Sequence, residues 1–159
     1  MFLSFGCSSG SKEDLVCTSV AQIENGTKYI VGTSSLRKKS NSEPFPTVGQ
    51  SGAVFVVDAE NEKTIAAATK DVGSIFKLAV SPDGLLVATS SFGVNEIIIR
   101  DSGLTQQLLA VEVDGGVHGM TFSPDSTMLA VAVSNVENPN LSGISLINVK
   151  NKTAKPISI

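Results

Sequence analysis

The sequence predicts an all-β chain built from three tandem four-stranded antiparallel units, on three observations. First, the tripeptide Ser-Pro-Asp stands at 81–83 and again at 123–125, 42 residues later, each time between two apolar runs. Second, Val54–Asp58 reads Val-Phe-Val-Val-Asp and resembles Ile-Ile-Ile-Arg-Asp at 97–101, with the two aspartates 43 residues apart. Third, the chain is 42% hydrophobic but only 5% aromatic, with no Trp, so its core must come from Val, Ile, Leu and Ala. Branched side chains of that kind pack well on a pleated surface.

The elements follow in order. In the first unit, 15–22 alternates as a strand, Glu24-Asn25-Gly26 supplies the turn, and 29–35 (Tyr-Ile-Val-Gly-Thr-Ser-Ser) is the second strand. Val54–Asp58 is the third strand, and 64–69 (Thr-Ile-Ala-Ala-Ala-Thr) the fourth. Its alanines favour a helix, but six residues between turn signals are too few to hold one. The second unit places strands at 75–80, 85–91, 97–101 and 108–113; the third places them at 117–122, 128–131, 144–148 and 154–159. Pro82 and Pro124 pre-set a turn, and Asp83 and Asp125 can accept backbone N–H bonds there. Gly84 is suited to the positive φ that closes the hairpin, and Ser126 is less so. The expected division is an N-terminal segment 1–14 (with 2–5 as a candidate extra strand), then 15–70 with a long loop at 36–51, 71–114 and 115–159.

At this point the residues resemble a known family. The run apolar-x-apolar-x-apolar-Ser-Pro-Asp-Gly, a second apolar run, then Ile/Val-x-Asp some twenty residues on, resembles the blades of WD-repeat β-propellers and of YVTN- and lactonase-type propellers. The likeness covers about 15–159 and is strongest over 75–148. It implies an all-β, partial or oligomer-completed propeller of three four-stranded antiparallel blades. No unit carries the Gly-His or Trp-Asp dipeptides of well-formed WD repeats, so the Asp–His network of that family is not implied here. Closed propellers have roughly four to eight blades. Three blades therefore point to self-pairing, to completion of a partner's propeller, or to a piece of a longer chain.

Composition narrows the function classes. Twelve basic against fifteen acidic residues leave a net charge of −3, with one basic cluster at Arg37, Lys38 and Lys39, which gives no electrostatic footprint for nucleic acid. No run approaches the ~18–20 apolar residues of a membrane helix. Residues 1–7 (Met-Phe-Leu-Ser-Phe-Gly-Cys) hint at a signal or lipoprotein start but lack a basic n-region and a full apolar run, so a cytoplasmic location is expected. Cys7 and Cys17 make neither a disulfide framework nor a zinc half-site; two free thiols are expected, with one disulfide as the alternative. Sequons at Asn25, Asn140 and Asn151 decide nothing.

His118 is the one histidine, so a two-histidine metal site is out and any Ser-His-Asp triad depends on it. The repeat alignment puts it where Phe76 stands, on the inward apolar face, which favours a structural or channel-lining imidazole. Asp83, Asp125, Asp58, Asp101 and Asn148 are read as turn residues. Glu96, Asp101 and Glu112 show no acid–base spacing. Gly115-Gly116 has no helix behind it and is read as a blade linker rather than a phosphate loop. No cofactor and no metal ligand set is expected.

The better candidates are the loops between second and third strands. The 36–51 loop sets Phe45 between two prolines beside Arg37, Lys38 and Lys39, an apolar anchor with a cationic rim. The loop at 135–142 adds Asn138 and Asn140. The expected function is a non-catalytic protein–protein interaction module acting through its loop-rich face, with a protein partner or self-association. Part of a lactonase-like enzyme, or a structural subunit completing a larger propeller, are the alternatives.

Overall fold

The computed structural model describes residues 14–23, 26–37, 47–48, 51–69 and 73–158. Strands dominate, and no α-helix occurs among the described residues. Blade 1 comprises β1 (Asp14–Ile23), β2 (Lys28–Arg37), β4 (Val54–Asp58) and β5 (Lys63–Ala68), with the short β3 (Thr47–Val48) paired to β2. Blade 2 comprises β6 (Ile75–Val80), β7 (Leu86–Ser91), β8 (Glu96–Asp101) and β9 (Gln107–Glu112). Blade 3 comprises β10 (Gly116–Phe122), β11 (Met128–Ser134), β12 (Gly143–Asn148) and β13 (Thr153–Ser158). Each sheet is a simple antiparallel meander. The innermost strands lie side by side, β6 against both β1 and β10. This is the radial succession of a propeller.

The core sits between blades because strand alternation gives each sheet two apolar faces. Ile23, Ile30, Val54 and Val56 of blade 1 meet Ile75, Val87 and Leu104 of blade 2. Ala88, Ile97 and Ile99 of blade 2 meet Val117, Phe122, Leu129, Val131 and Ile147 of blade 3.

The Ser-Pro-Asp turns have the same geometry in blades 2 and 3. Ser81 donates to Asp83 Oδ1 at 2.5 Å and Leu85 N donates to the same oxygen at 3.0 Å, while Leu86 N donates to Ser81 Oγ at 2.9 Å. Ser123, Asp125, Thr127 and Met128 repeat the arrangement at 2.6, 3.1 and 2.9 Å. Gly84 takes φ +74° and Ser126 φ +60°, as the turn requires. A Cβ at Gly84 would meet no atom within 4 Å, so only backbone strain opposes a side chain there. Gly84→Ala is therefore expected to cost about 1 kcal/mol, read as a lower urea midpoint with unchanged slope.

These hydrogen bonds hold the Asp83 and Asp125 carboxyls below the ordinary carboxylate range, with the serine hydroxyl the leading cause in each. A depressed folded-state value contributes stability that is present above the unfolded value and is lost as pH falls through the folded one. Acid titration of stability should show that loss at the foot of the carboxylate range. Asp83→Asn with Asp125→Asn should flatten it. Asp58, Asp101 and Asn148 cap the turns after the third strands, accepting from Asn61 N at 3.0 Å, Gln106 N at 2.5 Å and Asn151 N at 2.8 Å.

Two expectations need correction. The chain does not enter its long loop at residue 36: β2 runs to Arg37, and Leu36 and Arg37 pair with Val48 and Thr47. Nor do Phe76 and His118 lie on the inward face. Each is the extra residue of a β-bulge, between Ile75 and Lys77 and between Val117 and Gly119, as Thr18 is between Cys17 and Ser19 in blade 1. A bulge takes one residue out of alternation. Phe76 is 45% exposed, and His118 is exposed as well.

Arg100 is buried in β8, on the face that carries Val87 and Thr89, and among the described residues its guanidinium donates one long hydrogen bond, to Thr89 Oγ1 at 3.4 Å. Burial pushes the guanidinium below its ordinary value, and the charge of Glu96 pulls it back up. The same position in blade 3 is Ile147, fully buried. Arg100→Ile should hold stability level or raise it by about 1 kcal/mol in denaturant melts, because an under-paired charge leaves the interior.

Candidate protein-docking face

Connections between blades and the turns from second to third strands emerge at one end of the molecule. Hydrogen bonds tie them together. Phe92 N donates to Ser74 O at 2.7 Å, Val113 N to Asn95 O at 2.9 Å, and Asn135 Nδ2 to Asp114 O at 2.5 Å. Across the blade 1–blade 2 step buried Ser34 Oγ donates to Ser74 Oγ at 2.8 Å, and within blade 1 Ser51 Oγ donates to Ser35 Oγ at 2.9 Å. Gly115 sits so close to β11 that a Cβ there would lie 2.3 Å from Ser134 O. It is a packing glycine in a linker.

On this scaffold the bulge at Phe76 and the turn at Phe92 bring two aromatic rings together. Their centroids are 5.9 Å apart at an interplanar angle of 63°, an edge-to-face pair, and Lys77 Nζ lies 4.7 Å from the Phe76 centroid. Both rings face solvent, Phe92 at 61% exposure. Val94 and Val136 add exposed aliphatic surface on the same face. The bulge provided no period-two signal, so sequence reasoning did not single out this pair; the adjacency of Phe92 to a Gly-containing turn was the available hint.

Acidic groups rim this surface. Glu96 and Glu112 stand directly opposite each other on β8 and β9, where like charges repel. They line a cleft of about 350 Å³ with Val94 and Asn95. A second cleft of about 290 Å³ opens between blades 2 and 3, with Asp114, Val133, Asn140 and Ser145 among its lining residues.

The predicted site residues fare differently. Asn140 lines this second cleft. Asn138 is exposed, but its side chain accepts from Asn140 N and caps the 3-10 turn Pro139–Leu141. Arg37 ends β2 at the loop-bearing end. Lys38, Lys39 and Phe45 lie outside the described residues. His118 Nε2 is 2.6 Å from Ser134 Oγ, a contact within nucleophile–base range. Among the described residues no three of His, Cys, Asp and Glu gather as a metal site would need. No helix among them is long and apolar enough to cross a membrane.

No family model matches the chain. It is similar to Tricorn protease homolog 1 of Streptomyces coelicolor, 31% identical over 102 residues, which covers 54% of this chain and 10% of that protein. Among solved structures it is similar to hydrazine synthase of Kuenenia stuttgartiensis, with a TM-score of 0.67 and 18% identity over 96% of this chain and 38% of that one. It is likewise similar to the β-propeller domain of Cps50 (Swd1) of Myceliophteria thermophila, with a TM-score of 0.63 and 16% identity over 92% and 40%. The chain thus spans about a tenth of its curated relative and about two fifths of these structures. The shared feature at these identities is the fold: this chain carries three four-stranded blades of a β-propeller.

Proposed function

We propose that the chain is a non-catalytic protein-interaction module that docks a polypeptide on its loop-bearing face. The observation that supports this most is the exposed Phe76–Phe92 pair. Large aromatics held rigid and solvent-facing lose little entropy on binding and anchor interfaces. The turn with Asn138 and Asn140 extends this surface, and the basic run Arg37, Lys38 and Lys39 with Phe45 is assigned to partner capture on its composition. Residues 15–70, 71–114 and 115–159 act as the three structural units of this platform, preceded by 1–14. An exposed free thiol at Cys17 fits a reducing, cytoplasmic setting.

The test is site-specific photo-crosslinking in extracts of the source cells. A photoreactive residue at 92 should capture a discrete protein that Phe76→Ala releases. The same group at Leu85, exposed at the opposite end, should not. Equal capture from both positions would remove the docking face from consideration.

A second reading, part of a hydrolytic propeller enzyme, draws on the His118–Ser134 contact. A fluorophosphonate probe separates the two readings: labelling at Ser134 that His118→Ala abolishes would favour the enzyme.

A further inference from the structure

We infer that the polypeptide docked on the loop-bearing face carries an aspartate or glutamate beside its apolar anchor, and that Lys77, His118 and Ser134 receive that carboxylate while Phe76 and Phe92 receive the anchor. The inference rests on the docking role proposed above and names the chemistry of the occupant.

Blades 2 and 3 build this place alike and furnish it differently. Phe76 and His118 are the bulge residues of β6 and β10, and the residues just before them, Ile75 and Val117, pair with Ser91 and Val133. Phe92 and Ser134, one position further along, therefore occupy equivalent places beside the bulges. Blade 2 fills its two places with rings in edge-to-face contact, and blade 3 with an imidazole and a hydroxyl, Nε2 to Oγ 2.6 Å. The equivalent residues of blade 1, Thr18 and Ser34, are engaged in joining blades: Thr18 Oγ1 donates to Ile75 O at 2.5 Å and Ser34 Oγ to Ser74 Oγ at 2.8 Å. In blades 2 and 3 the places stay open, with Phe76, Phe92 and His118 exposed.

Lys77 stands on the side of the ring pair that adjoins blade 3. It pairs with Ser90, and Ser90 with Ile97, which packs in the cluster shared with blade 3, so Lys77 is on the face of β6 turned toward the neighbouring innermost strand β10. Its ammonium lies over the Phe76 ring, and among the described residues neither Lys77 nor His118 makes an ion pair. The carboxylates of this end, Glu96 and Glu112, belong to the outer strands β8 and β9, so the inner part of the face is the cationic one. A carboxylate is the complement of that ammonium. The imidazole–hydroxyl pair offers the same group a donor in either tautomer. When Ser134 donates to Nε2, Nδ1–H is left to donate; when Nε2–H donates to Oγ, the Ser134 O–H is left instead.

Selection of phage-displayed random peptides on the purified chain tests this. Binders should carry an aliphatic or aromatic residue beside Asp or Glu. In a synthetic copy of one such binder, exchanging the acidic residue for its amide should weaken binding to the wild-type chain by about 10-fold. The same exchange should have no effect on binding to Lys77→Met with His118→Ala, while Lys77→Arg should keep the discrimination. Each single variant should lose part of it, so the result does not depend on the double variant folding, which circular dichroism checks. Binders that Phe92→Ala releases but that carry no acidic residue overturn the inference and leave the docking face standing. So do Lys- or Arg-rich binders that respond to Glu96→Gln and Glu112→Gln, or a discrimination against the amide that survives in the double variant. Binders indifferent to Phe92→Ala, or no binders, overturn the docking face and the inference with it.

Discussion

Leu129→Ala should destabilise the fold by about 3 kcal/mol. Leu129 is fully buried in β11 and belongs to the cluster that joins blades 2 and 3, with Ile97, Ile99, Val131 and Ile147. Two effects add there. The removed methyl groups forfeit their transfer free energy, and the void they leave is walled by two sheets that cannot close on it without breaking their own ladders. Because the cluster spans two blades, the loss should appear as one cooperative transition at a lower denaturant midpoint. Leu85→Ala is the control, since Leu85 is 64% exposed in the Ser-Pro-Asp turn and should shift stability by less than about 0.5 kcal/mol. A loss at Leu129 no larger than the control's would mean that blades 2 and 3 are not joined by this cluster.

Gly115→Ala should cost about 2–3 kcal/mol, by a different mechanism. The added Cβ would lie 2.3 Å from Ser134 O and 2.7 Å from its carbonyl carbon, and both are backbone atoms that no rotamer change can move. The linker must then lift away from β11. That breaks the Asn135 Nδ2 bond to Asp114 O and reshapes the cleft beside Asn140. Gly119→Ala provides the contrast: it lies in β10, the strand that the linker leads into, yet a Cβ there meets nothing within 4 Å. Thermal melts of the pair should differ by roughly 4–12 °C, since about 1 kcal/mol moves the midpoint by 2–4 °C at this chain size. Equal melting would show that the linker has slack which this packing denies.

The period of the chain was legible because hairpin chemistry is local. Ser81, Pro82 and Asp83 specify their turn through bonds that span two to five residues, and Ser123, Pro124 and Asp125 do so again. The apolar run Val54–Val57 likewise marked a third strand, and the structure buries it on both faces. The docking face was less legible. Phe45 with Arg37, Lys38 and Lys39 stood out by composition, whereas Phe76 read as core because strict alternation was carried through β6.

By itself, then, the order of residues determined the β class, the forty-odd-residue cycle and the turn chemistry, since these depend on neighbours a few positions apart. Only the tertiary structure decided that Phe76 and His118 leave the alternation, that Phe76 meets Phe92, and that Ile144 and Ile157 face solvent where Ile97 is buried. A bulge follows from how one strand registers on another, and exposure follows from which sheet comes next. Both are relations between distant segments, which no local pattern encodes.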